Sequence, residues 1–134
     1  MKERSIVKIE HTAYQVEDPV AVARWYVQHL GLTVKRSWPD RPFAHFLADE
    51  SGQAMLEFYN NPRAPVPDYR TIDPVVLHIA FVAEDVPATR ARLVAAGATA
   101  AGDIVVSDAG DEIAMLRDPW GLPIQFLKRK VPMS

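Results

Sequence analysis

His11-Thr12-Ala13-Tyr14-Gln15-Val16-Glu17-Asp18 is answered half a chain later by His78-Ile79-Ala80-Phe81-Val82-Ala83-Glu84-Asp85. Histidine, alanine, glutamate and aspartate hold matching places in the two phrases, and the offset is half of the 134 residues. A chain that repeats itself at half its length is expected to be two copies of one supersecondary unit that bury their apolar faces against each other. The two histidines then occupy equivalent positions about a pseudo-twofold, where a shared site would form.

Working outward, each phrase belongs to a β-rich run, residues 6–16 and 75–83. Each run ends in Glu-Asp and passes into a helical stretch, residues 19–30 and 86–96. Asp18 before Pro19 is a good N-cap followed by a proline tolerated in the first turn, and Asp85 is placed to cap the second helix in the same way. Gly31 and Gly97 are expected to end the helices as left-handed C-caps. Three strand-like segments follow in each half: about 32–38, 43–48 and 53–60, then about 99–106, 112–117 and 122–128. The turn before the last strand repeats as well, Asp49-Glu50-Ser51-Gly52 matching Asp118-Pro119-Trp120-Gly121. The last strands align Leu56-Glu57-Phe58 with Ile124-Gln125-Phe126. Both halves read β-α-β-β-β. The segment between them, residues 61–73, contains Pro62, Pro65 and Pro67 and reads as a semi-rigid linker. The expected organisation is one domain, residues 1–134, of two modules at about 5–60 and 74–128.

Composition narrows the class. A content of 49 % hydrophobic and 24 % charged residues is that of an ordinary globular protein, and a formal charge of −2 gives no basic footprint for nucleic acid. No basic amphipathic segment suggests a membrane surface, and the longest apolar stretch, interrupted by His78, is too short to span a bilayer. Residues 1–5 carry no apolar core of signal-peptide length. The absence of cysteine excludes disulfides and thiolate metal sites. The simplest expectation is a cytoplasmic protein, with no nucleic-acid or membrane partner.

Strand alternation decides which side chains share a face. His11 falls with Ile9 and Ala13, and His78 with Val76, Ala80 and Val82, so both imidazoles project from mainly apolar faces. Glu57 falls with Met55 and Tyr59, and Gln125 with Pro123 and Leu127. A carboxylate there needs a cation, because an unpaired buried charge costs several kcal/mol or more, and no lysine or arginine lies on its strand face. A lone histidine on an apolar strand is more often a hydrogen-bonded core residue than a ligand, and Gln125 alone carries no signal. It is the pairing of all four through one repeat that points to a divalent metal held by His11, Glu57, His78 and Gln125. Imidazole and oxygen donors suit Zn, Ni, Co, Fe or Mn without choosing among them.

Together these residues resemble the vicinal oxygen chelate superfamily, the glyoxalase/bleomycin resistance/dioxygenase fold. The match covers nearly the whole chain, and Asp118-Pro119-Trp120-Gly121-Leu122-Pro123-Ile124-Gln125 is similar to that superfamily's Asp-Pro-x-Gly-x-x-x-Glu ending. The resemblance implies an α+β fold, two paired βαβββ modules forming a cupped, incompletely closed mixed β-barrel with the helices outside. It also implies one metal ion at His11, Glu57, His78 and Gln125, spaced as in metal-dependent glyoxalase I. Gln125 departs from glyoxalase I, which carries there a glutamate that is both ligand and base, and from extradiol dioxygenases, whose single carboxylate ligand lies there. An amide cannot accept that proton at neutral pH. The order in methylmalonyl-CoA epimerase is similar to this chain with the modules exchanged.

Three functions are therefore expected in turn. The first is a metal-dependent lyase or isomerase in which the ion acts as Lewis acid on a small oxygen-chelating substrate and Glu57 is the base. The second is an Fe(II) extradiol-type dioxygenase. The third is a non-catalytic protein that sequesters a ligand, as bleomycin-resistance members do. Trp38, His45, Tyr59 and Arg117 are weaker candidates near the cup, Arg117 as a carboxylate binder. Trp25 and Tyr26 read as packing residues and His29 as a helix-end cation. A homodimer is the expected assembly, with the modules paired within a chain or exchanged between chains.

Overall fold

The computed structural model describes residues 6–133, which divide into two compact units, residues 6–67 and 68–133. The first unit opens with β1, His11–Gln15, and α1, Pro19–Leu30, followed by β2, Thr33–Ser37, β3, His45–Ala48, and β4, Met55–Tyr59. The Asp18 carboxylate accepts the Ala21 N–H at 3.1 Å and Pro19 fills the first turn. Gly31 closes the helix in the left-handed region at φ 72°, where a side chain would be strained. Val22, Ala23, Trp25 and Tyr26 form the buried face of α1, and the Tyr26 ring meets Phe58 of β4 at 4.9 Å. Trp25 and Tyr26 are packing residues, as expected. His29 lies in the last turn, where a cation opposes the helix dipole.

The four strands lie in the order β1-β4-β3-β2, with β1 parallel to β4 and the other pairs antiparallel. Because the parallel pair joins the first and last strands, Ala13 lies opposite Glu57 and His11 opposite Met55. Phe58 faces the helix, so by alternation Glu57 faces away from it.

The second unit repeats the plan with β5, Ile79–Val82, α2, Val86–Ala95, β6, Thr99–Ala100, β7, Val105–Val106, β8, Glu112–Arg117, and β9, Pro123–Lys128. Its strands run β5-β9-β8-β6, with β7 also on β8 and β5 parallel to β9. Asp85 caps α2 through the Ala88 N–H at 3.0 Å. The helix is capped at Ala96, and Gly97 takes the positive φ one residue later. Ala80 lies opposite Gln125, the register that Ala13 and Glu57 have in the first unit. Among the described residues the fold is α+β, with two mixed sheets, two α-helices and neither sheet closed into a barrel. No helix among the described residues is long and apolar enough to cross a membrane.

Three expectations change. The run 6–16 becomes a strand only from His11, with the Glu10 carbonyl accepting the Met55 N–H at its start; Ile6, Val7 and Ile9 are exposed. In the run 75–83, Asp73 gathers the chain into a turn, its carboxylate accepting the Val75 N–H and its carbonyl the Val76 N–H, so β5 begins at Ile79. His78 therefore stands just ahead of a strand and not on one. The run 99–106 splits into β6 and β7 around Gly102, which takes φ 89°.

The repeated turn has a common construction. Asp49 accepts the N–H groups of Ser51 and Gly52 through Oδ1, and Asp118 those of Trp120 and Leu122. At Gly121, φ 99°, a Cβ would run into the side chain and backbone of Arg70. Arg117 is committed to the same corner. Its guanidinium donates to the carbonyls of Tyr69, Ile72 and Gly121 at 2.8, 2.9 and 3.1 Å, fixing the short 3-10 turn Tyr69–Thr71. These bonds make it a structural clamp, so the role of carboxylate binder considered for it falls away. Arg117→Met, which keeps the apolar stem and strands three carbonyls, is expected to lower unfolding stability by about 2–4 kcal/mol in urea titrations.

Candidate functional site

In the first unit the face of the sheet turned away from α1 brings His11 and Glu57 together, with Nε2 and Oε1 3.4 Å apart. The Glu57 side chain is 15 % exposed and that of His11 33 %. Phe46 of β3, opposite Glu57 in the register, presses edge-on against the His11 ring at 5.1 Å. The other imidazole nitrogen, Nδ1, meets Glu10 Oε1 at 2.7 Å. Removal from water raises the Glu57 carboxyl above its ordinary value, and the neighbouring His11 draws it back only in part.

In the second unit, His78 Nδ1 lies 2.7 Å from the Pro74 carbonyl. A carbonyl can only accept, so Nδ1 is the donor, and in the neutral ring that tautomer leaves the lone pair on Nε2. His11 is held in the same way, with an oxygen acceptor at Nδ1. Histidines that bind metals commonly have this second bond, which orients the ring and raises the basicity of the free nitrogen. Gln125 faces away from Ile124 and Phe126, both buried, in a row with Ala80 and Met115. Its side-chain amide has no hydrogen-bond partner among the described residues. The donor set of each unit, one imidazole Nε2 and one side-chain oxygen, is suited to a divalent cation. Among the described residues no three histidine or carboxylate side chains converge in a single cluster. The structure thus shows His11 beside Glu57, while in the second unit Gln125 lies opposite Ala80, two residues after His78.

Of the weaker candidates, His45 is opposite Phe58 on the helix side of its sheet, with Nδ1 at 2.6 Å from the Phe43 carbonyl, and so lies away from Glu57. Tyr59 continues the Glu57 face opposite Gln15. Trp38 meets Phe46 at 5.6 Å and, with Glu10, Lys35, Arg36 and Met55, lines a groove of about 200 Å3. Lys35 and Arg36 were not singled out by sequence. Consecutive strand residues point to opposite faces, and only the β-bulge between Val34 and Arg36 brings both to one groove.

The family model of the Glyoxalase/Bleomycin resistance protein/Dioxygenase superfamily matches residues 8–126. No curated protein matches the sequence. Solved structures with the same fold include a glyoxalase family protein from Bacillus cereus, at TM-score 0.80 and 16 % identity, covering 96 % of this chain and 98 % of the other. Another is TnmS3, an antibiotic binding protein from Streptomyces sp. CB03234, at TM-score 0.72 and 20 % identity, covering 96 % and 100 %. A third is a glyoxalase family protein from Enterococcus faecalis, at TM-score 0.69 and 26 % identity, covering 92 % and 98 %.

A carboxyl raised by burial favours the folded state when protonated, so its contribution to stability is lost as pH rises through the folded value. In chelator-treated protein, Glu57→Gln is therefore expected to raise Tm at about pH 8 and to leave it nearly unchanged near pH 4. Thermal unfolding followed by circular dichroism across that range checks the sign.

Proposed function

The chain belongs to the Glyoxalase/Bleomycin resistance protein/Dioxygenase superfamily, and from that premise we propose a metal-dependent enzyme with lyase or isomerase chemistry on a small, oxygen-chelating substrate. His11, Glu57, His78 and Gln125 would hold one divalent ion, Zn, Ni, Co, Fe or Mn. When bound, the ion would supply Lewis-acid stabilisation of negative charge on neighbouring substrate oxygens. The observation that carries this reading is the recurrence of one arrangement in both units. Each has a histidine anchored at Nδ1 and, two residues on, an alanine that lies opposite a side-chain oxygen donor, Ala13 opposite Glu57 and Ala80 opposite Gln125.

Glu57 is assigned the proton transfer. A carboxylate whose affinity for protons is raised by burial is a stronger base than an exposed one, and its Oε1 already faces His11 Nε2. Gln125 can donate an oxygen but cannot take a proton. Proton movement is thereby confined to the first module, while the second binds and orients. The same reading takes the protein as a cytoplasmic homodimer, the modules paired within one chain or exchanged between two.

A second reading is ligand sequestration without turnover, favoured by the groove of Trp38 and Phe46 that opens beside His11. An Fe(II) dioxygenase is the third. Metal-loaded protein assayed against hemithioacetals, acyl-CoA thioesters and catechols separates them. Turnover of a hemithioacetal or thioester, reduced about 10²–10⁴-fold in kcat by Glu57→Gln with metal still bound, is the expected result. Undiminished turnover in that variant removes Glu57 as the base. Oxygen uptake with a catechol supports the dioxygenase, and tight binding with no turnover of any class supports sequestration.

A further inference from the structure

The groove in the first unit has a chemistry that the metal reading does not use. One wall is aromatic, Trp38 and Phe46, with Met55 beside them, and Trp38 is 43 % exposed. The other carries Lys35 and Arg36, both exposed and without a hydrogen-bond or ion-pair partner among the described residues. The one acid in the lining, Glu10, turns its carboxylate to His11. Strand β2 is an edge, and edges often carry lysine simply to deter pairing with another chain. That function needs no particular side. The bulge instead brings two successive cations into one groove with the rings, leaving its lining with an excess of positive charge. The volume of about 200 Å3 lies below the roughly 300–1,000 Å3 of sites for drug-sized ligands. It suits a small ligand or one end of a larger one.

We propose that this groove is a binding subsite for a planar aromatic anion, its ring seated on Trp38 and Phe46 and its acid group held by Lys35 and Arg36. Phe46 touches both Trp38 and His11, so a ring seated there lies next to His11. The proposal rests on the preceding section only in treating that neighbourhood as the functional site, since no part of the recognition requires a metal. An aromatic face and a guanidinium or ammonium together discriminate in a way neither does alone, the first against aliphatic acids and the second against neutral rings.

The test is titration of the full chain with naphthoate, followed by calorimetry, beside naphthalenemethanol as the neutral ring and cyclohexanecarboxylate as the non-aromatic acid. Naphthoate is expected to bind once per chain, at least about tenfold more tightly than either comparator. The Lys35→Gln/Arg36→Gln double variant is expected to lose at least about tenfold in naphthoate affinity, with naphthalenemethanol unaffected. Lys35→Arg should retain it, and Trp38→Leu should weaken both aromatic ligands. The two cations are exposed, so circular dichroism should show the fold intact. Binding should persist in chelator, so failure of the metal site would leave this result standing. Equal affinity for acid and alcohol, an unchanged double variant, or no naphthoate binding would each overturn the proposal.

Discussion

In each unit the strand that opens the motif lies parallel to the strand that closes it, and the helix and remaining strands are what the chain needs to make that return. Parallel neighbours cannot be joined by a hairpin, so a crossover through α1 or α2 is obligatory. The pairing is also what sets the chemistry. It puts Ala13 opposite Glu57 and Ala80 opposite Gln125, which places a histidine two residues before each donor's partner. A slip of one residue in either pair would send the oxygen donor to the helix side, where Phe58 and Ile124 are packed. Burial of those helix-facing residues therefore holds the register, and the register holds the donors on the opposite face.

Two units built alike are not chemically alike. Among the described residues Glu57 has one side-chain partner, His11, and its removal from water raises its hold on a proton. Gln125 stands in the same place with an uncharged amide. Against Phe46 in the first unit, the second has Met115 opposite its donor, so the aromatic contact that braces His11 has no counterpart there. His78 is braced by the chain instead, through the Pro74 carbonyl. Equivalent donor positions are thus reached by different supports, and of the two side-chain oxygen donors only that of Glu57 can take up a proton.

Much of this was legible from residue order. The repeat located both helices and the β-α-β-β-β order, Asp18 and Asp85 marked the N-termini, and the pairing of positions through the repeat singled out His11 and Glu57, which the structure brings together. What stayed hidden has physical causes. Val75 and Val76 have strong strand character, but Asp73 and Pro74 bend the backbone there, so a continuous apolar run did not mean a continuous strand. Arg117 read as a carboxylate binder because its three acceptors are main-chain carbonyls, one in the following turn and two from 45 or more residues away. Lys35 and Arg36 share a groove only because of a bulge, which leaves no residue pattern that alternation can detect.

The central claim is that the two pairs, His11 with Glu57 and His78 with Gln125, act as one metal site. Calorimetric titration of chelator-stripped protein with Ni2+ or Co2+ tests it most directly, comparing wild type with His11→Ala and His78→Ala. The account predicts one ion per chain, with affinity reduced at least about 100-fold by either substitution alone, a loss of about 2.7 kcal/mol. Two ions per chain, or wild-type affinity in either variant, would contradict it.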